Sequence, residues 1–196
     1  MEGKDNSKES KNNLIENEGI TKESSIIKLP PPSILRPLKS ICKIDTSKRI
    51  STGFFIKFFK GEKDFFCLMT NEHIITSELI KERKTINVYY DYESKVKEIN
   101  LNPEERFIKE FITDLNIDAT IVEILSKDNI EKDYFLSPSI EYMNIFNNLL
   151  NKEITIIQHP LGKNISYSNG IIKKKINMNL HIMQVLKTVH QEVQYL

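Results

Sequence analysis

STGFFIKFFKGEKDFFCLMTNEHIIT, residues 51–76, reads as strand, turn, strand and then a histidine. Gly53 opens an apolar run, Phe54-Phe55-Ile56, and Gly61 sits in the polar turn 60–63. A second run, Phe65-Phe66-Cys67-Leu68-Met69, ends in Thr70-Asn71-Glu72-His73. Short apolar runs bounded by polar turns predict buried strands. A histidine just past the end of such a strand stands where a rigid scaffold can hold a general base.

Working outward, further strand-like runs lie at 40–44, 85–90 (TINVYY), 106–112 (RFIKEFI) and 119–124 (ATIVEI). With 53–59 and 64–70 they make six strands, the number that closes one small barrel, so the spacing predicts an all-β barrel or sandwich. Residues 128–139 read as a linker, and 140–150 are ambiguous, with a short helix as one option. Residues 152–157 (KEITII) and 170–176 (GIIKKKI) read as the first strands of a second barrel. Residues 1 to about 25 are polar and charged and predict disorder, followed by an extended Leu29-Pro30-Pro31-Pro32 spacer. No internal repeat is evident.

Composition narrows the classes. In 196 residues, 39% are apolar and 28% charged, as in a globular chain. Lys+Arg 28 against Asp+Glu 27 gives no bulk charge that would favour nucleic acid or a membrane surface. The apolar runs are far too short to span a bilayer, and the N-terminal residues show no apolar secretory core. That reading favours the cytoplasm, and with it free, buried thiols for the two cysteines, Cys42 and Cys67. No zinc-type spacing and no phosphate loop is present, so no metal or cofactor is expected. The sequence leaves the oligomeric state open.

The order of glycine, aromatic pair, second strand and Thr-Asn-Glu-His-Ile-Ile resembles the trypsin/chymotrypsin-like serine peptidases. There "GxGFFI…xLLTNxHVI" carries the catalytic histidine, and His73 matches that position. The resemblance implies a double β-barrel, the first six-stranded barrel complete (about 39–126) and the second only partly present (about 150–178). The peptidase-like domain would then span 37–178, after a polar segment 1–36 and before a tail 179–196.

In this family an aspartate begins the last strand of the first barrel, ahead of a small residue and apolar ones. Asp118, in Asn116-Ile117-Asp118-Ala119-Thr120-Ile121-Val122, fits that place; Asp114, four residues earlier, competes from further outside the apolar run. The implied roles are His73 as base and Asp118 as the carboxylate that orients it, acting on a peptide or protein substrate. Gln158-His159-Pro160-Leu161-Gly162 and Ser168-Asn169-Gly170-Ile171-Ile172 resemble "(G/Q)xPxG…SxGxI", early in the second barrel of the high-temperature-requirement and glutamyl-endopeptidase branches. His159, beside a proline, reads as a loop residue. Ile74 stands where secreted trypsins place a cysteine after the histidine, so that branch's disulfide is not expected.

The family's nucleophile sits in a Gly-x-Ser-Gly turn, in many branches GSSGSP, some fifteen to twenty residues after the glycine matched by Gly170. No serine follows Gly170 in this sequence. One reading of the remainder is an amphipathic helix with Ile182, Leu186, Val189, Val193 and Leu196 on one face. The genetic code offers another. Codons read from the third base of one residue and the first two of the next force alanine at Met183/Gln184. From there to Gln194/Tyr195 they permit A-S-T-x-x-G-S-S-G-S-P-I, the family's nucleophile segment in the expected place. The expectation is a serine endopeptidase lineage whose product here is frameshifted or truncated before the serine and inactive. The alternatives are a non-catalytic, protease-like peptide-binding module and an unrelated small β-barrel.

Overall fold

Residues 32–60, 63–112, 118–138 and 151–173 are described by a computed structural model. The residues expected to form the polar N-terminal segment up to 31, the ambiguous 140–150, Asp114, the end of the second-barrel segment from 174 and the tail 179–196 lie outside them. The fold class is all-β, as expected. Two short helices, α1 (Pro32–Ser40) and α2 (Ser77–Lys81), accompany nine strands among the described residues.

Seven strands form one antiparallel sheet: β1 (Ile41–Asp45), β2 (Ile50–Lys60), β3 (Lys63–Thr70), β4 (Thr85–Tyr90), β5 (Lys95–Asn100), β6 (Ile108–Ile112) and β7 (Asp118–Glu123), in the order β5-β4-β1-β2-β3-β7-β6. The sequence reading had six. The strand it lacked is β5, KVKEIN, where three of six side chains are charged and only Ile99 is buried. Backbone pairing with β4 in full register, from Thr85↔Asn100 to Tyr90↔Lys95, outweighs that weak apolar signal.

The apolar runs of β2 and β3 bury side chains on both faces, which is why they read as near-continuous rather than alternating. Phe55 and Leu68 face one cluster with Ile44, Val88, Tyr90 and Val122, whereas Ile56, Phe58, Cys67 and Met69 face another with Phe111 and Ile121. Cys42 and Cys67 are free and buried in different clusters, and burial pushes both thiols well up. Gly53 is required by close packing: a Cβ there would run into the Ile44 side chain and lie 3.1 Å from the Met69 carbonyl oxygen.

The chain after β7 departs from the linker expected at 128–139. It crosses back over the first cluster, where Tyr134 and Phe135 are buried and Phe135 packs against Phe55 and Phe66. Tyr134 Oη donates to Asp91 at 2.8 Å, and Lys95 on β5 donates to Glu131 at 2.8 Å, so this segment curls the β5 flank toward β7. Leu136 forms a parallel bridge with Ile56: its N–H donates to Phe55 O at 3.0 Å, and Lys57 N–H donates to its carbonyl at 2.8 Å. Beneath β7, Arg106 and Asp128 form a buried, two-pronged ion pair at 2.8 and 3.0 Å. Sequence reading had placed Arg106 inside a strand that in fact begins at Ile108.

Helix α1 is a second departure, since 32–36 were assigned to a polar, extended segment. Proline is well placed at a first helical position, where its missing N–H costs nothing. Ile34 and Leu38, four apart, then bury one stripe of the helix. The second half is a hairpin of β8 (Glu153–Gln158) and β9 (Ser166–Ile171). β8 lies where expected, but β9 begins four residues earlier than the expected 170, because Tyr167 and Ser168 pair with Ile157 and Ile156.

Candidate active site

The register of β3 against β7 builds the site. Thr70 pairs with Thr120 in an antiparallel ladder, so the chain leaving β3 and the chain entering β7 meet at one end of the sheet. His73 lies three residues past Thr70, and Asp118 two residues before Thr120. The loop between β3 and α2 is held by its neighbours. Ile74 and Ile75 are buried in the first cluster, and both their N–H groups donate to the Asn71 carbonyl, at 3.2 and 3.3 Å. Thr120 Oγ1 donates to Ile75 O at 3.0 Å, and Thr70 Oγ1 to Thr52 O at 2.9 Å. Two isoleucines pulled inward leave His73 facing out, its side chain 53% exposed.

The structure brings together the two residues singled out in the sequence. His73 Nδ1 lies 2.5 Å from Asp118 Oδ2, and the His73 N–H donates to Asp118 Oδ1 at 3.0 Å. Burial pushes the Asp118 carboxyl up, but the His73 backbone N–H, its imidazole and the Asn71 amide outweigh that and hold it below the usual carboxylate range. The carboxylate is therefore ionised near neutral pH and only accepts. This assigns the shared proton to Nδ1 and leaves the lone pair of the neutral ring on Nε2, the atom that can take a proton from a nucleophile.

Two further residues belong to the site and were missed. Asn71 Nδ2 donates to Asp118 O at 3.2 Å and to Asp118 Oδ2 at 3.1 Å. Arg49, in the turn between β1 and β2, donates from Nη1 to the His73 carbonyl at 2.5 Å. A cleft of about 80 Å³ beside the histidine is lined by Arg49, His73, Ile74 and Leu79. A larger cavity of about 400 Å³ lies by Arg106 and Asp128, away from this chemistry.

Among the described residues, no partner in the nucleophile role is in place. Ser77, the serine nearest His73 in sequence, donates to Glu110 at 2.7 Å instead. His159, read as a loop residue, is buried and stays apart from His73. Its Nδ1 lies 3.0 Å from the Lys163 carbonyl, and its N–H donates to Thr52 Oγ1 at 2.8 Å. Among the described residues, no cluster of three His, Cys, Asp or Glu side chains could hold a metal ion, and no helix is long and apolar enough to cross a membrane.

No protein-family model matches the chain, and no curated protein matches it significantly. Among solved structures, the chain is similar to one described as the Rv3671c protease in its inactive form, at 17% identity and a TM-score of 0.47. That match covers 73% of this chain and 56% of the other, so the chain spans little more than half of that protein's length.

Proposed function

We propose that this chain comes from the trypsin-like serine endopeptidase lineage, with His73 as general base and Asp118 as the group that orients it, and that the polypeptide itself does not cleave peptides. The observation that carries this reading is the His73 Nδ1–Asp118 Oδ2 contact at adjacent strand ends, 45 residues apart in sequence. In the lineage, a serine Oγ adds to the peptide carbonyl while His73 Nε2 takes the hydroxyl proton. The same imidazolium then protonates the leaving amine, and water, deprotonated by His73, releases the acyl group. Asp118 holds the Nδ1 proton, which leaves Nε2 as the accepting atom, and faces the imidazolium that forms.

That chemistry also needs the serine and the backbone N–H groups beside it that bind the oxyanion; loss of one such donor alone costs roughly 10²–10³ in rate. No serine follows Gly170 in the sequence. We attribute this to a shift of reading frame between Gly170 and Met183, since the codons of 183–195 permit A-S-T-x-x-G-S-S-G-S-P-I one frame over. The partner of the intact lineage is a peptide or protein substrate.

Sequencing genomic DNA and cDNA across codons 170–196 and beyond tests the reading. Third bases that spell GSSGSP, followed by strand-like sequence in the same frame, are the expected result. The polypeptide expressed in that frame should hydrolyse unstructured protein, and the chain described here should not. Third bases that spell something else would end the frameshift reading and leave a serine-less, protease-like module that binds peptides.

A further inference from the structure

The Asp118 carboxylate draws its hydrogen bonds from a single tripeptide. His73 supplies its N–H to Oδ1 and its Nδ1 to Oδ2, and Asn71 supplies Nδ2 to Oδ2 and to the Asp118 backbone oxygen. An aspartate carboxylate rotates readily about its last side-chain bond, because that torsion is broad and roughly two-fold. A single donor on each oxygen would leave it free to swing toward solvent, with 40% of the side chain exposed. Asn71 removes that freedom. Its amide nitrogen carries two hydrogens, and two acceptors of one residue take them: one fixes the backbone at the start of β7, the other fixes the carboxylate plane relative to it. The Asn71 main chain is occupied separately, as acceptor for the Ile74 and Ile75 N–H groups. The loop turn is thus built by the backbone of residue 71, and the carboxylate is held by its side chain.

We propose that Asn71 is a positioning residue that locks the Asp118 carboxylate onto His73 Nδ1, so that the pair is assembled by the seven-stranded sheet alone and takes no group from the β8–β9 hairpin. The inference rests on the His73–Asp118 reading. It goes beyond it in making the pair self-contained: the base is preorganised in this polypeptide whether or not a nucleophile is present. Among the described residues no substitute donor stands by. The Arg49 guanidinium is turned to the His73 carbonyl, and the Thr70 hydroxyl is turned to Thr52.

The test uses the full chain and needs no catalysis. Proton NMR reads the His73 Nδ1–H, which a short bond to a carboxylate moves far downfield, and carbon NMR follows the Asp118 carboxyl against pH. In the unaltered chain the downfield proton should be present. In Asn71→Ala it should broaden or vanish through exchange with water, and the Asp118 midpoint should rise. Asn71→Asp keeps the shape but turns a donor into a second negative charge, and should raise the midpoint further. Thr52→Val, which removes the hydroxyl that receives the His159 N–H, should leave both signals unchanged.

An Asn71→Ala spectrum matching the unaltered chain, in a folded protein, overturns the positioning role while leaving the His73–Asp118 pair standing. Loss of the downfield proton in Thr52→Val overturns the claim that the sheet suffices. A downfield proton missing from the unaltered chain removes the pair, and with it both this inference and the functional reading. Should Asn71→Ala fail to fold, Asn71→Leu decides, because it keeps the bulk and removes the amide donor without adding a charge: a raised Asp118 midpoint supports the positioning role and an unchanged one overturns it.

Discussion

The seven-stranded sheet and the β8–β9 hairpin are both antiparallel and both rich in isoleucine, yet they are built differently. In the sheet, Ile44, Phe55, Leu68, Val88, Ile121 and Val122 are fully buried and arranged on two faces. In the hairpin every side chain from Glu153 to Gln158 is exposed or half-buried. The hairpin meets the sheet through the loop between its strands: His159 N–H donates to Thr52, and Gly162 lies against Ile50, where a Cβ would be 2.9 Å from the Ile50 Cβ. A two-stranded hairpin is marginal by itself. The contrast teaches that stability and the His73–Asp118 geometry reside in the first unit, and that the second is held by a few contacts around one buried histidine.

The contrast breaks first where the sheet is densest. Phe55→Ala removes a ring packed on Tyr90 and Phe135 and should cost about 3–5 kcal/mol in urea unfolding. Ile156→Ala in the hairpin should fall within about 1 kcal/mol. A comparable loss, about 3–5 kcal/mol, is expected from Asp128→Asn or Asp128→Ala, which strand the Arg106 guanidinium in the interior. Restoring an uncharged pair with Arg106→Met alongside should recover a large part of it, measured in the same way.

Smaller effects sharpen the comparison. Burial holds the His159 imidazole below its ordinary value, against the Lys163 carbonyl and Glu93, which pull it up, with Lys43 adding to the depression. A histidine depressed on folding favours the folded state fully above its unfolded value of about 6.5, and that contribution fades as pH falls toward the folded value. Hydrogen-exchange protection factors, with the intrinsic pH dependence of exchange divided out, should therefore fall across β8 and β9 on mild acidification while those of β2 and β3 hold; His159→Gln should flatten the response.

Asp118 is also depressed, so its contribution is present above its unfolded value of about 3.9 and is lost as pH falls through the folded one. Asp118→Asn should remove that acid-sensitive increment from urea titrations at pH 3–5. The smallest effect expected is from His73→Ala, within about 0.5 kcal/mol of unchanged stability, because the ring is largely exposed.

The sequence made the histidine legible because its strand is apolar on both faces and the polar Thr-Asn-Glu-His follows at once. Asp118 was legible for a parallel reason, since a charged residue opens an apolar strand there. Asn71 was in plain view, but its role depends on which way an amide points after two distant strands have paired, and no local pattern carries that. β5 went unread because backbone pairing and one isoleucine sustain it. Tyr134 and Phe135 sit among charges that resemble a linker, and their burial comes from a surface made by β2, β3 and β4. Arg106 was read into a strand and Asp128 into a linker, since only tertiary closure sets them face to face. Helix α1 was hidden by its own prolines: Pro32 takes the first position, where a missing N–H costs nothing, but Pro37 lies inside the helix, where proline ordinarily argues against one.

One small feature bears on how the molecule behaves in company. β2 is eleven residues long, and its ladder with β1 ends at Phe54; among the described residues no further strand pairs with that side of its far half. Leu136 occupies that side at Phe55 and Lys57, taking up the N–H and C=O groups that point outward there. An open strand edge flanked by phenylalanines is a template on which a second chain can add. Leu136 caps it with the protein's own backbone. Replacing the bridging residue with proline would reopen that edge and offer it to a second chain as a seed for self-association.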